Sequence, residues 1–169
     1  MSSISKITTR PFRLEMKGSL SWGQHGKLEA LEHVLVRVET TDGYIGYAEA
    51  PARPSIYGET SQSIEIIITQ HLEPSLVGVK LNDEAKIWNI LHNVANNQTA
   101  KSALDIALCE ARAKSQCSSL FAAAKGEQEK IRASFILGIS ELETMTKEAR
   151  AIFDSGVSVF KIKIGRDAK

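Results

Sequence analysis

The sequence predicts an α+β layout that gives way, near its end, to a strand-helix-strand unit. Residues 31–41 alternate between two faces and run into the tight-turn dipeptide Asp42-Gly43. From Thr60 the apolar spacing changes to that of helices, and beyond a polar stretch at 126–130 two short apolar runs flank one amphipathic segment.

Ile4 to Leu14 reads as an extended segment. Leu31 to Thr41 is a clearer strand, with Leu31, His33, Leu35, Arg37 and Glu39 on one face and Glu32, Val34, Val36 and Val38 on the other. Glycine enters a left-handed turn without steric cost, so Asp42-Gly43 makes Tyr44-Ile-Gly-Tyr-Ala48 the returning strand of a hairpin. Between the first two strands, Gly18 to Lys27 is rich in Gly and Ser and reads as a mobile loop offering Trp22 and His25. After the hairpin, prolines hold Pro51-Ala-Arg-Pro54 to extended or turn geometry.

A first helix starts at Thr60, buries Ile64, Ile67, Ile68 and Leu72, and is expected to end at Pro74. Asn82 is the expected N-cap of a second helix, with Asp83 and Glu84 in its first turn and Ile87, Ile90, Leu91 and Val94 inward. A third runs from about Thr99 to Ser115 on Leu104, Ala107, Leu108 and Ala111. A strand over Ile131–Ile139 follows. The box Ser140-x-x-Glu143 is then expected to open a helix on Leu142, Met145, Ala149, Ile152 and Phe153, before a second strand over Val157–Ile164. Two strands joined by a helix run parallel with a right-handed crossover. The change of rhythm places a domain boundary near 125, giving domains of 1–125 and 126–169.

The 169 residues are 43% hydrophobic and 24% charged, with a net charge of +1. That composition belongs to a globular chain with a real core, not to a disordered one. It lacks the clustered Lys and Arg that nucleic acid or an anionic membrane would need. No apolar run approaches the roughly 18 residues of a bilayer span, and no apolar stretch stands behind the polar start, so the expected location is the cytoplasm. Cys109 and Cys117 have neither disulfide nor zinc-finger spacing and read as packing residues. Gly43-x-x-Gly46 lacks the Gly-Lys-Ser/Thr of a phosphate loop, and the hairpin accounts for it. Asp105 and Glu110 lie on the third helix, where a solvated or cross-domain ion pair is expected rather than acid/base work.

In the last strand, Phe160, Ile162 and Ile164 share one face, and Val159, Lys161 and Lys163 the other. On a solvated face the two lysines are ordinary surface charges. If the face looks into a barrel, each ammonium raises the cost of charging its neighbour and desolvation acts in the same direction. A neutral amine able to take a proton near neutral pH then becomes accessible.

The meander, Gly43-Tyr-Ile-Gly-Tyr-Ala-Glu-Ala-Pro51, Ile56-Tyr-Gly-Glu-Thr60, Ala103-Leu-Asp-Ile-Ala-Leu108 and Lys161-Ile-Lys-Ile-Gly165 occur in that order. From about Ile4 to its end the chain resembles the mandelate-racemase and muconate-lactonizing branch of the enolase superfamily. Ile136-Leu-Gly-Ile139 resembles most the dipeptide epimerases of that branch.

The resemblance implies an α+β capping domain followed by the first β-α-β of a TIM-type barrel, with substrate between the two. It implies an isomerase, a racemase or epimerase first and a muconate-type cycloisomerase second, that moves the proton alpha to a carboxylate. Lys163 would be the acid/base residue and Lys161 its electrostatic neighbour. Trp22 and His25 in the first loop, and Arg53, Ile56 and Tyr57 after the hairpin, would contact substrate. The expected partner is a small carboxylic acid such as a dipeptide, an amino-acid derivative or a muconate-like acid, and the expected assembly a homo-oligomer.

The same resemblance places three metal-binding carboxylates on the third to fifth barrel strands, where a divalent ion, Mg or Mn, stabilises an enediolate. The residues to Lys169 reach only the second strand, whereas a barrel takes about 250 residues. The stretch is therefore expected to be the truncated N-terminal part of an enzyme, without metal or turnover of its own. Cys109-Glu110 stands where the family has an aromatic residue and Asp, and Phe121-Ala-Ala-Ala-Lys125 replaces its Leu-Gly-Gly turn. The alternative reading is a non-catalytic α+β module for binding or assembly.

Overall fold

Val34, Val36 and Val38 are fully buried while the residues between them are only partly covered, so one face of their strand is core and the other is not. The computed structural model describes residues 2–22, 26–125 and 131–164. Three strands, β1 (Ile4–Trp22), β2 (Gly26–Thr40) and β3 (Ile45–Ala52), form a sheet in the order β1-β2-β3. β2 and β3 are antiparallel, in a register running from Glu39 opposite Ile45 to Glu32 opposite Ala52. Gly43, at φ 85°, turns the chain between them, and Gly43 N–H donates to Thr40 O at 3.0 Å.

The expected loop at Gly18–Lys27 is corrected by this sheet. Strand continues to Trp22 and resumes at Gly26, and residues 23–25 of the expected loop lie outside the described residues. Gly and Ser are poor strand formers in isolation, but strand preference is set mostly by what a residue pairs with.

Helices α1 (Pro54–Tyr57), α2 (Ser61–Ile66) and α3 (Glu73–Leu76) follow, and a π-helical segment, Ile67–Leu72, joins the last two. The α2 start is a capping box: Ser63 N–H donates to Thr60 Oγ1 at 3.1 Å and Thr60 N–H to Ser63 Oγ at 2.9 Å. Pro74 does not end the helical segment. Glu73 N–H bonds Ile68 O five residues back, and this wider turn relieves the contact a proline ring makes with the preceding turn of an α-helix. Ile64, Ile68, Leu72 and Leu76 all reach the core.

Helix α4 (Glu84–His92) is capped by Asp83, whose carboxylate accepts from Lys86 N–H at 3.1 Å, and not by Asn82. Helix α5 (Gln98–Ser115) lies on β3 and buries Leu104, Ala107, Leu108 and Ala111. A Cβ built on Gly46 would sit 1.9 Å from Ala107 O, so glycine is what allows the helix this close. The N-terminus of α5 is held by a residue far back in the chain: the Glu59 carboxylate, 5% exposed, accepts from Thr99 N–H at 2.7 Å and Ala100 N–H at 3.0 Å. Each fully buried Ile, Leu or Val contributes about 1.5–3 kcal/mol.

Parts of the sheet's outer edges are engaged by groups from elsewhere in the chain. On β1, Ile4 exchanges hydrogen bonds with Val79 O and Gly78 N–H at 2.9 and 2.8 Å, and Ile7 N–H donates to a Glu73 carboxylate oxygen at 3.3 Å. On β3, Tyr47 N–H donates to the Glu110 carboxylate, and Lys114 Nζ donates to Ile45 O at 2.9 Å. Glu110 is thus both a strand-edge partner and an ion-pair partner of Lys114 at 3.1 Å. Short helix α6 (Leu120–Ala123) follows α5. Among the described residues no helix is long and apolar enough to cross a membrane.

The chain divides into two compact units, 1–14 with 31–127, and 15–30 with 128–169. In the second, β4 (Ser134–Leu137) and β5 (Val159–Ile162) are parallel, joined by α7 (Leu142–Asp154). Both strands are shorter than the expected Ile131–Ile139 and Val157–Ile164. The Ser140 box does not form: the N-cap is Glu141, without a side-chain bond. Beyond Asp154 the helix closes on Gly156, at φ 101°, where Gly156 N–H bonds Phe153 O and Val157 N–H bonds Ile152 O. Met145, Ala149 and Ile152 are half-buried, while Leu142 and Phe153 stay exposed.

Candidate functional site

The strand pair β4–β5 presents two unlike faces. Leu137 is buried and Phe135 and Phe160 are half-buried on the face that α7 covers, and Phe160 joins Thr146, Ala149, Arg150, Phe153 and Asp154 around a cavity of about 410 Å³. The opposite face carries Lys161, exposed, and Lys163, half-buried. Ile136 lies beside Lys161 in the register, and Lys163 N–H extends the ladder by donating to Leu137 O at 3.1 Å. Two cationic side chains therefore share the face opposite α7 at the C-terminal end of a parallel strand, the end where α/β barrels carry their chemistry.

The other residues singled out in the sequence fall in three places. Trp22 is the last residue of β1, in the stretch 15–30 that belongs to the same unit as β5. His25 lies outside the described residues. Arg53, Ile56 and Tyr57 stand together at α1 in the first unit. Arg53 O accepts from Ile56 N–H and Tyr57 N–H at 3.0 and 2.8 Å, and this one-turn helix holds the Ile56 and Tyr57 side chains out, 54% and 59% exposed.

Histidines serve local structure. His92 stacks on Trp88 with ring centres 3.7 Å apart, and His33 lies 3.1 Å from a Glu49 carboxylate oxygen and against the Phe12 ring. Among the described residues no three His, Cys, Asp or Glu side chains gather as a metal site would require.

Sequence reasoning missed the group between α4 and α5. Arg112 pairs with Glu84 and donates to Cys109 Sγ at 3.2 Å, beside a cavity of about 260 Å³. Burial first, and then the charge of Asp105, push the Cys109 thiol above its ordinary range. A raised thiol is a poor nucleophile, so Cys109 packs. Cys117 does not: it is exposed beyond α5, which corrects its reading as a packing residue. The i, i+3 spacing of Cys109 and Arg112 was the available signal.

Comparison with known proteins matches residues 20–122 to the mandelate racemase / muconate lactonizing enzyme N-terminal domain. The L-Ala-D/L-Glu epimerase of Bacillus subtilis is 28% identical over 167 residues, which cover 98% of this chain and 43% of that protein. The muconate lactonizing enzyme of Mycobacterium smegmatis, complexed with muconolactone, superposes with a TM-score of 0.92 at 36% identity, over 98% of this chain and 45% of that one. The dipeptide epimerase of Cytophaga hutchinsonii, complexed with Mg and the dipeptide D-Ala-L-Val, gives 0.86 at 27% identity, over 96% of this chain and 44% of that one. The chain spans less than half the length of these relatives.

Proposed function

The chain belongs to the mandelate racemase/muconate lactonizing enzyme family, and from that premise we propose that it supplies the capping domain and first two barrel strands of an isomerase acting next to a carboxylate. Residues 1–125 are the capping domain and 126–169 the start of the barrel. The observation that carries this reading is the pairing of Lys161 and Lys163 on the face of β5 that α7 leaves uncovered.

In this reading Lys163 takes the proton from the carbon next to the substrate carboxylate, or returns it. Lys161, two residues away on the same face, adds a second positive charge that favours the anion formed when the proton leaves. Trp22 and His25, and Arg53, Ile56 and Tyr57 at α1, select the substrate. That substrate is a small carboxylic acid, and a dipeptide or amino-acid derivative comes before a muconate-like acid. The whole protein works in the cytoplasm as a homo-oligomer.

A divalent ion, magnesium or manganese, belongs to this reaction class and stabilises the anionic intermediate when bound. The described residues do not fit one, since no three potential ligands gather. No step is assigned to it here.

The test is exchange of the substrate α-proton in heavy water, followed by NMR with dipeptides and with muconolactone, in the protein expressed from its whole reading frame with magnesium. Lys163→Ala is expected to lower exchange by about 10²–10⁴-fold, the usual worth of a positioned acid or base. Exchange at the wild-type rate in that variant overturns the reading.

A further inference from the structure

We propose that Gly138 is a specificity residue of this site, whose bare backbone leaves a slot beside Lys163 for the group carried on the reacting carbon. The inference rests on the reading of Lys163 given above.

Its basis is the register. Leu137 pairs with Ile162, and the bond from Lys163 N–H to Leu137 O carries the ladder one residue further, making Gly138 the neighbour of Lys163. Paired residues of adjacent strands point to the same side of a sheet, so Ser134 and Ile136 of β4, and Gly138 just beyond its end, lie along Val159, Lys161 and Lys163. Lys161 therefore has a branched side chain as its wall, and Lys163 has none.

A left-handed backbone does not account for the glycine there. The described glycines in the left-handed region are Gly43, Gly58, Gly78 and Gly156, and Gly138 is not among them. A glycine in extended surroundings costs conformational entropy and packs nothing, and where it is not a turn it marks a close approach of a ligand or another chain segment. The approach here would be made over a half-buried amine at a strand's C-terminal end.

The slot can be measured on the 169-residue chain without turnover. Lys163 is labelled by reductive methylation with formaldehyde, a small reagent, and by reductive pyridoxylation with pyridoxal phosphate, a bulky one. Rates are read by peptide mass spectrometry against Lys147, which stands exposed on α7. In Gly138→Val, pyridoxylation of Lys163 is expected to fall about tenfold, equivalent to about 1.4 kcal/mol in the barrier, while methylation stays near wild type. Gly138→Ala should shift the same ratio in the same direction by less, and it carries the test if the valine variant loses its helical circular dichroism. Pyridoxylation of Lys163 at the wild-type rate in these variants overturns the slot, as does an equal loss with both reagents. Proton exchange in Lys163→Ala is a separate readout, so failure of the slot and failure of the acid/base reading are told apart.

Discussion

Glu59 and Ala100 are 41 residues apart in sequence, yet the Glu59 carboxylate accepts the Ala100 backbone N–H at 3.0 Å. With Thr99 as its second donor, this carboxylate replaces the cap that Asn97, in the left-handed region and with its side chain donating to Ala95 O instead, does not provide. A negative charge at a helix N-terminus also meets the favourable end of the helix dipole.

Glu59→Ala leaves buried N–H groups without an acceptor and is expected to cost about 2–3 kcal/mol, whereas Glu59→Gln, which keeps one acceptor oxygen, costs less. Urea midpoints at constant m-value measure both. Equal stability of the alanine variant and the wild type would show that water replaces the carboxylate.

Gly46→Ala places a methyl 1.9 Å from Ala107 O and 2.7 Å from Ala111 N, both backbone atoms that move only if α5 lifts from β3. Overpacking on this scale is expected to cost about 3 kcal/mol or more. A thermal midpoint within error of the wild type would refute the close contact.

Asp42 accepts from the Ser2 hydroxyl and from Thr40 Oγ1 at 2.7 Å, and those bonds, Ser2's first, hold its carboxyl below the usual range. A lowered folded value means the contribution is fully present above the unfolded value of about 3.9 and is lost as pH falls through the folded one. Asp42→Asn should therefore reduce stability at neutral pH and converge on the wild type at low pH. Parallel stability curves for the two proteins from pH 7 to pH 2 would remove Asp42 from the acid limb.

Cys117 is exposed, whereas Cys109 is half-buried with its thiol raised. Ellman's reagent near pH 8 should label Cys117 at least about tenfold faster, because thiolate is the reacting species. Cys117→Ser isolates the slow phase. Fast labelling that survives this substitution would contradict the packing of Cys109.

What the sequence revealed was what neighbouring residues decide. The alternation through Val34, Val36 and Val38 located β2 and its core face, and the same period put Lys161 and Lys163 together. The errors lie where distant partners decide. Gly18–Lys27 is rich in Gly and Ser, yet its described ends are strand, running on to Trp22 and resuming at Gly26. Pro74 reads as a helix end until a π turn accommodates it, and Ser140-x-x-Glu143 has the letters of a capping box without its bonds. The Glu59 cap had no local signal at all.

The helices that cover the sheet also stop its rims, with Glu110 and Lys114 of α5 on β3 and Glu73 on β1. At those positions the strand-edge groups are already engaged and are not offered to an added strand. Lifting α5 would open the apolar face and the β3 rim in one event. Local breathing of that single helix would thus expose a strand edge together with the apolar surface behind it, and substitutions that loosen it should raise the tendency to aggregate as they lower stability.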